Sequence, residues 1–187
     1  MEFAWLALCV AFVLALGGRD QLIVAQFTDQ LERTPPLLAT GIVAAISSAA
    51  IMVGAAAHLS SMLNHEMVFW LTYAAWGVVG IRLFPRIELS PMAEPTRSFV
   101  AIGAVVFARQ LLDAPRLAIF ALALLAPDAG MTVVGGIIGG ALAIALGWSL
   151  GLGRLGKLPL LLLRRFAGVC IIVAAGLIAL NTICEAF

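Results

Sequence analysis

The chain has 187 residues, of which 63% are hydrophobic and 11% charged, and its mean hydropathy is +1.11. A soluble domain carries roughly 25% charged and about half apolar residues, so no water-soluble core of this length hides so much apolar surface. With a formal net charge of +1, the composition gives no basic face for a nucleic acid and makes the lipid bilayer the expected partner.

A membrane-crossing helix takes about 20 mostly apolar residues, which leaves room for six spans with short links. The expected fold is an all-α membrane protein of six transmembrane helices, one transmembrane domain over residues 1–187. The first span covers about residues 3–27 and is interrupted by Gly17-Gly18-Arg19-Asp20. Glu2 stands where a secretory signal carries Lys or Arg, and no small-x-small cleavage site ends the apolar run, so this segment reads as a retained helix. The second span starts at Pro35-Pro36, a favourable helix start, and runs to about residue 57. The third covers about residues 67–83, and a loop over 84–96 carries Pro85, Pro91 and Pro95. The fourth spans about 97–126 and is interrupted between Arg109 and Arg116. Pro127-Asp128-Ala129-Gly130 is a turn signal, after which the fifth span covers about 131–152 and the sixth about 158–183.

The links after the first, third and fifth spans carry Arg33, Arg82, Arg86, Arg97, Arg154, Lys157, Arg164 and Arg165, and the opposite side carries no Lys or Arg. By the positive-inside rule those links are cytoplasmic and both termini are not, in what is expected to be a bacterial inner (plasma) membrane. The first and fourth spans then enter from opposite sides. Half one (about 1–83) and half two (about 97–187) form an expected inverted 3+3 repeat joined by the cytoplasmic loop 84–96. Interrupted helices at matching places in such halves point to a transport site near the membrane midplane.

Within the bilayer a charge costs about 2.5–3.5 kcal/mol on insertion scales and needs a partner or water. Arg19, Asp20, Arg109, Asp113 and Arg116 are therefore the residues of interest. Arg109 and Asp113 are spaced i,i+4, and Asp113 and Arg116 i,i+3, so a continuous helix pairs them on one face. Arg19 and Asp20 point apart, which predicts cross-pairing between the first and fourth spans. Gly17, Gly18 and Pro115 free backbone groups at the same level, tolerated in a membrane mainly where they line a cavity.

The stretches Ala15-Leu16-Gly17-Gly18-Arg19-Asp20-Gln21-Leu22 and Gln110-Leu111-Leu112-Asp113-Ala114-Pro115-Arg116-Leu117 resemble the paired Glu-x-Gly-Asp-(Lys/Arg)-(Thr/Ser) motifs of the small six-helix cation–proton exchangers of Golgi, thylakoid and bacterial membranes. The resemblance extends to length, helix count, motif placement and charge orientation. It implies manganese/calcium–proton antiport around the first and fourth spans, with Mn²⁺ or Ca²⁺ as cargo and no resident cofactor. Carried over by position, the family's metal-binding Glu becomes Ala15 and Gln110, its Asp becomes Gly18 and survives as Asp113, and its basic residue survives as Arg19 and becomes Ala114. Gln21-Leu22 keeps the usual Gln-Leu, and the second Gln becomes Arg116. One of the four expected carboxylates, Asp113, is retained, and Asp20 is added nearby; with the arginines turned away, the metal ligands left are Asp113, Gln110 and Asp20, with Gln21 beside them.

Three arginines against two aspartates leave this site near +1 if all five face inward. A divalent ion about 4 Å from one unit charge meets roughly 8 kcal/mol of repulsion at an effective dielectric near 20. Two alternatives follow: the same fold carrying a different, anionic cargo, or a non-transporting membrane partner whose ionic cluster is structural. An enzyme is not expected, because no nucleophile–base pair, HExxH or carboxylate cluster is present.

Elsewhere, Cys9, Cys170 and Cys184 show no metal-ligand spacing and read as buried small hydrophobes. His58, His65 and Glu66 read as a wet loop, with metal capture as the alternative. Gly135-Gly136, Gly139-Gly140, Gly147 and Gly151 read as close-packing faces. Ser47, Ser48 and Gly54 invite the same reading, with pore lining as the alternative. Trp5, Trp70, Trp76 and Trp148 include interface anchors, and Arg164-Arg165 reads as a cytoplasmic anchor.

Overall fold

The computed structural model describes residues 1–31, 33–87 and 98–186, so Pro91, Pro95, Arg97 and the rest of link 88–97 lie outside the described residues. Its elements are all helical: α1 (Glu2–Ala15), α2 (Arg19–Leu31), α3 (Pro35–Met62), α4 (His65–Arg82), α5 (Phe99–Gln110), α6 (Ala114–Leu125), α7 (Ala129–Leu155) and α8 (Leu160–Ala186). Helix starts follow local chemistry. Pro35 and Pro36 occupy the first turn of α3, where a missing N–H costs nothing. Asn64, Ser98, Asp113 and Asp128 cap α4, α5, α6 and α7 by accepting backbone N–H bonds from Met67, Ala101, Ala114 and Gly130.

Among the described residues three helices are long and apolar enough to cross a membrane, α3, α7 and the stretch Leu160–Thr182 of α8. A fourth crossing arises if α1 and α2, bent by 59° at their break, count as one span. The helices α5 and α6, 12 residues each, are too short to cross singly. The chain is a helical membrane protein.

The helix α7 is the hub. It packs on α1, α2, α3 and α6, while α3 packs on α5, α6 and α7. The helix α1 also touches α6, α2 touches α5, and α4 joins α6 to α8. Two glycine faces of α7 make this possible. On one, a Cβ at Gly135 or Gly139 would strike the carbonyl oxygens of Ala4 and Leu8, so α1 lies against bare backbone. On the other, a Cβ at Gly136 would sit 2.7 Å from Ile119 and one at Gly140 2.8 Å from Arg116, both on α6. The glycine reading from the sequence holds here.

Small residues fill the remaining contacts. Ala11, Ala49, Val53, Ala56, Ile119 and Ala123 form one core where α1, α3 and α6 meet. Leu14, Val79, Leu83, Ala114 and Ala118 form another among α1, α4 and α6. The helix α8 is peripheral: 11% of its apolar window is buried, against 39% for α3 and α7, and it leans on α4.

One end of the bundle gathers the basic links. Asp29 of α2 accepts from Leu152 and Gly153 at 3.0 and 3.2 Å, capping the turn after Gly151, whose φ of +68° kinks α7. Trp148 donates to Thr34 at 3.2 Å, and Arg165 of α8 donates to Phe84 at 3.4 Å. Asp29, Thr34 and Phe84 thus lie against residues 148–165 at this end.

Replacing Gly139 with Val should cost about 1–3 kcal/mol by overpacking. Gly54→Ala, where no atom lies within 4 Å of the added methyl, should be neutral or stabilising by up to about 1 kcal/mol. Thermal unfolding of both variants in detergent checks this, and equal melting temperatures would refute the hub role of α7.

Candidate functional site

Two interruptions meet inside the bundle. In the first, Leu16 is extended, Gly17 takes φ +66°, and α2 restarts at Arg19. An L-residue at Gly17 would be strained, and its Cβ would lie 2.8 Å from that of Leu160. In the second, α5 ends at Gln110, and Asp113 caps a new helix through a 2.9 Å bond from Ala114 N–H. Pro115 falls in that helix's first turn, so it starts α6 rather than kinking a continuous helix.

That break corrects the sequence expectation for Arg109, Asp113 and Arg116. These residues do not share one helical face, because residues 111–113 leave the helix. Arg109 ends up exposed on α5 and Arg116 buried on α6. Arg19 is exposed as well, while its neighbour Asp20 turns inward. Among the described residues no arginine makes a direct ion pair with Asp20 or Asp113.

The expected meeting of the two interruptions does occur. Asp20 and Gln21 from the first, and Gln110, Asp113, Pro115 and Arg116 from the second, line one cavity. Ala15 and Gly18 line it too, and α7 closes it with Gly140, Ala143 and Ile144. Its volume is about 10 Å³, room for a single water-sized particle.

Its polar groups divide into those held and those left open. Gln21 is held: its Oε1 accepts from Gly17 N–H at 2.7 Å and its Nε2 donates to Ala143 C=O at 2.9 Å. It therefore braces the first interruption against α7 and has little left for a ligand. Arg116, 3% exposed, donates from Nε to Ser48 Oγ at 2.7 Å, and Gln110 Oε1 lies 2.8 Å from the same hydroxyl. Ser48, on α3, was read from sequence as packing. It instead bonds two residues that line the cavity, while Ser47 is half-buried and Gly54 exposed. Open are Asp20 Oδ1, Asp113 Oδ2 and Gln110 Nε2, all buried without a hydrogen-bond partner.

Two further arginines serve the interruptions from outside the cavity. Buried Arg164 of α8 donates to Gly17 C=O at 2.9 Å and to Arg82 C=O at 3.3 Å. Arg82 in turn donates to Leu112 C=O. Each interruption thus has a freed carbonyl satisfied by an arginine of another helix, a role beyond the anchor read for Arg164 from sequence. Arg165 stays exposed and is free to serve as that anchor.

The cavity contains two carboxylates and one guanidinium, a formal charge of −1 if all are ionised. The sequence-based figure of +1 fails because Arg19 and Arg109 lie outside it.

The other candidates are ordinary. His58, His65 and Glu66 are exposed, with His65 edge-on to Phe69 at 4.6 Å. Among the described residues no three His, Cys, Asp or Glu side chains are placed to hold a metal ion. Cys9, Cys170 and Cys184 are free and exposed rather than buried. Cys9 and Cys170 line a separate apolar cavity of about 620 Å³ with Phe69, Tyr73 and Trp76. Trp5 and Trp70 are exposed, as anchors are, while Trp76 and Trp148 are half-buried.

Compared with protein-family models, with characterised proteins and with solved structures, the chain matches none.

Gln21→Ala removes two buried hydrogen bonds and leaves Gly17 N–H unpaired, at about 1–3 kcal/mol for that stranded group, while Ala143 C=O keeps its helical partner within α7. The expected result is a lowered melting temperature in detergent, with Gln21→Glu only partly rescuing it because a carboxylate cannot donate to Ala143. A Gln21→Ala protein as stable as the parent would refute the bracing role.

Proposed function

We propose that the protein is a secondary transporter that passes a small cation through the compartment between its two interrupted helices. The observation that carries this reading is the pair Asp20 Oδ1 and Asp113 Oδ2. They come from separate interruptions, line one cavity, and are buried with no partner. A buried carboxylate oxygen without a partner is costly, and a cation that comes and goes supplies what the fold withholds. Gln110 contributes a third group. Its amide also fits its socket reversed, with Nε2 donating to Ser48 and the Ser48 hydroxyl donating to Ala45 C=O at 3.2 Å. The amide oxygen then turns to the position now held by the unpartnered nitrogen.

The expected six-span inverted repeat belongs to the same proposal: α1–α2 and α5–α6 as interrupted spans, α3, α4, α7 and α8 as whole ones. The packing supports it. Exchanging α1 with α5, α2 with α6, α3 with α7 and α4 with α8 converts the α1–α7 contact into α5–α3 and α2–α7 into α6–α3. It likewise converts α1–α6 into α5–α2 and α2–α3 into α6–α7. The packing of α4 on α6 has no such counterpart between α8 and α2. With the basic end in the cytoplasm, both termini face away from it, in a bacterial inner membrane.

Resemblance to the manganese/calcium–proton exchangers makes Mn²⁺ and Ca²⁺ the first cargoes to test. A cavity charge of −1 weighs against an anionic cargo. The tight cavity favours one second reading, a structural cluster without flux.

Reconstituted vesicles with dyes for H⁺, Na⁺, Mn²⁺ and Ca²⁺ separate the two. Under transport, at least one ion moves faster than in empty vesicles, and Asp20→Asn and Asp113→Asn each cut that flux at least tenfold. Under the structural reading no flux exists, and the same substitutions change only the melting temperature.

A further inference from the structure

We infer that Arg116 is the specificity-determining residue of the cavity: it is a resident positive charge that restricts the site to a univalent cation, H⁺ or Na⁺, and excludes Mn²⁺ and Ca²⁺. The inference rests on the cation-transport reading and adds the charge class of the cargo.

Arg116 cannot leave. Its Nε is held by Ser48 at 2.7 Å, and Nη1 and Nη2 press on Gly140, where a Cβ would come within 2.9 and 2.8 Å. A side chain at position 140 would have to displace the guanidinium from this seat. Nor does Arg116 pair off with either aspartate, so neither carboxylate is consumed as its partner. The charge count of the compartment is therefore set by three lining side chains, two negative and one positive when both carboxyls are ionised.

A univalent cation brings this compartment to neutrality, and a divalent one overshoots it in a space with room for about one water and no bulk screening. The oxygens on offer point the same way. Divalent hard cations take six or more oxygen ligands, and the cavity has two open carboxylate oxygens and one amide, enough for a proton, which needs no coordination shell. Arg19 and Arg109, exposed on α2 and α5, and Arg164 of α8 act on Asp20 and Asp113 through space from outside the cavity and do not line it.

The test is a charge-balance series in purified full-length protein. Wild type counts −1, Arg116→Gln −2, Asp20→Asn 0 and the double variant −1. Melting temperature and isothermal titration are read against NaCl, MnCl₂ and CaCl₂ at constant ionic strength made up with choline chloride, and against pH. Wild type should respond to Na⁺ or to pH and bind Mn²⁺ and Ca²⁺ no better than choline. A response to pH without one to Na⁺ identifies the proton. Arg116→Gln should gain at least tenfold in Mn²⁺ or Ca²⁺ affinity, and Asp20→Asn should lose the univalent response. The double variant should regain it and lose the divalent gain.

Mn²⁺ or Ca²⁺ binding by wild type as tight as by Arg116→Gln overturns the inference, as does a folded Arg116→Gln without divalent gain. If Arg116→Gln fails to fold, the double variant and Asp20→Asn decide, since they must differ in Na⁺ or pH response as their charges differ. Failure of the transport reading has another signature: the binding series behaves as stated while vesicles show no flux of any ion.

Discussion

Inside a bilayer, every backbone N–H and C=O must find a partner within the protein. A chain that interrupts two of its helices at apolar depth takes on a debt of free carbonyls and amides, and most of the distinctive chemistry of this fold answers it. Gln21 closes the first interruption onto α7. Asp113 caps the restart of the second with one oxygen and keeps the other open. Arg164 and Arg82 take the carbonyls that no cap reaches. Among the described residues six buried side-chain atoms keep no partner; three sit apart on Thr34, Thr132 and Arg164, and the other three, two carboxylate oxygens and one amide nitrogen, are on residues that line the same small cavity.

Glycine determines where those groups end up. The hub helix α7 carries bare backbone on two faces, one for α1 and one for α6. Side chains there would push the interrupted helices outward, and Arg116 would lose its bed against Gly140. The compartment is small because the helices around it approach so closely.

Much of this was legible in the sequence, and its failures have physical causes. Hydropathy marked the membrane class, and Gly17-Gly18 marked the first interruption within a residue or two. The cost of stranding charge in lipid predicts cross-pairing between the two interruptions; Asp20 and Asp113 do line one cavity, but among the described residues no arginine pairs with either. Periodicity misled at the second interruption. The i,i+3 and i,i+4 spacings of Arg109, Asp113 and Arg116 presume an unbroken helix, and Asp113 followed by Ala114-Pro115 is instead a cap and restart. The N-cap preference of Asp before a first-turn proline was the signal that pointed there. Ser48 was harder, since one hydroxyl on an apolar helix looks the same whether it bonds its own backbone or holds an arginine from α6. Gly140 and Arg164 needed three dimensions, because their partners lie 24 and 147 positions away.

The arginine contacts at the basic end form a chain: Gly17 carbonyl to Arg164, Arg164 to the Arg82 carbonyl, Arg82 to the Leu112 carbonyl. Its links belong to α8, α4 and the two interruptions, so these parts are strung in series like beads on a taut cord. Tilting α8 away from α4 unseats Gly17 from its donor, and dragging the end of α4 along loosens Leu112. Neither half of the bundle can shift at this end without the other registering the strain. Two backbone defects more than ninety residues apart in sequence thereby become a single mechanical unit.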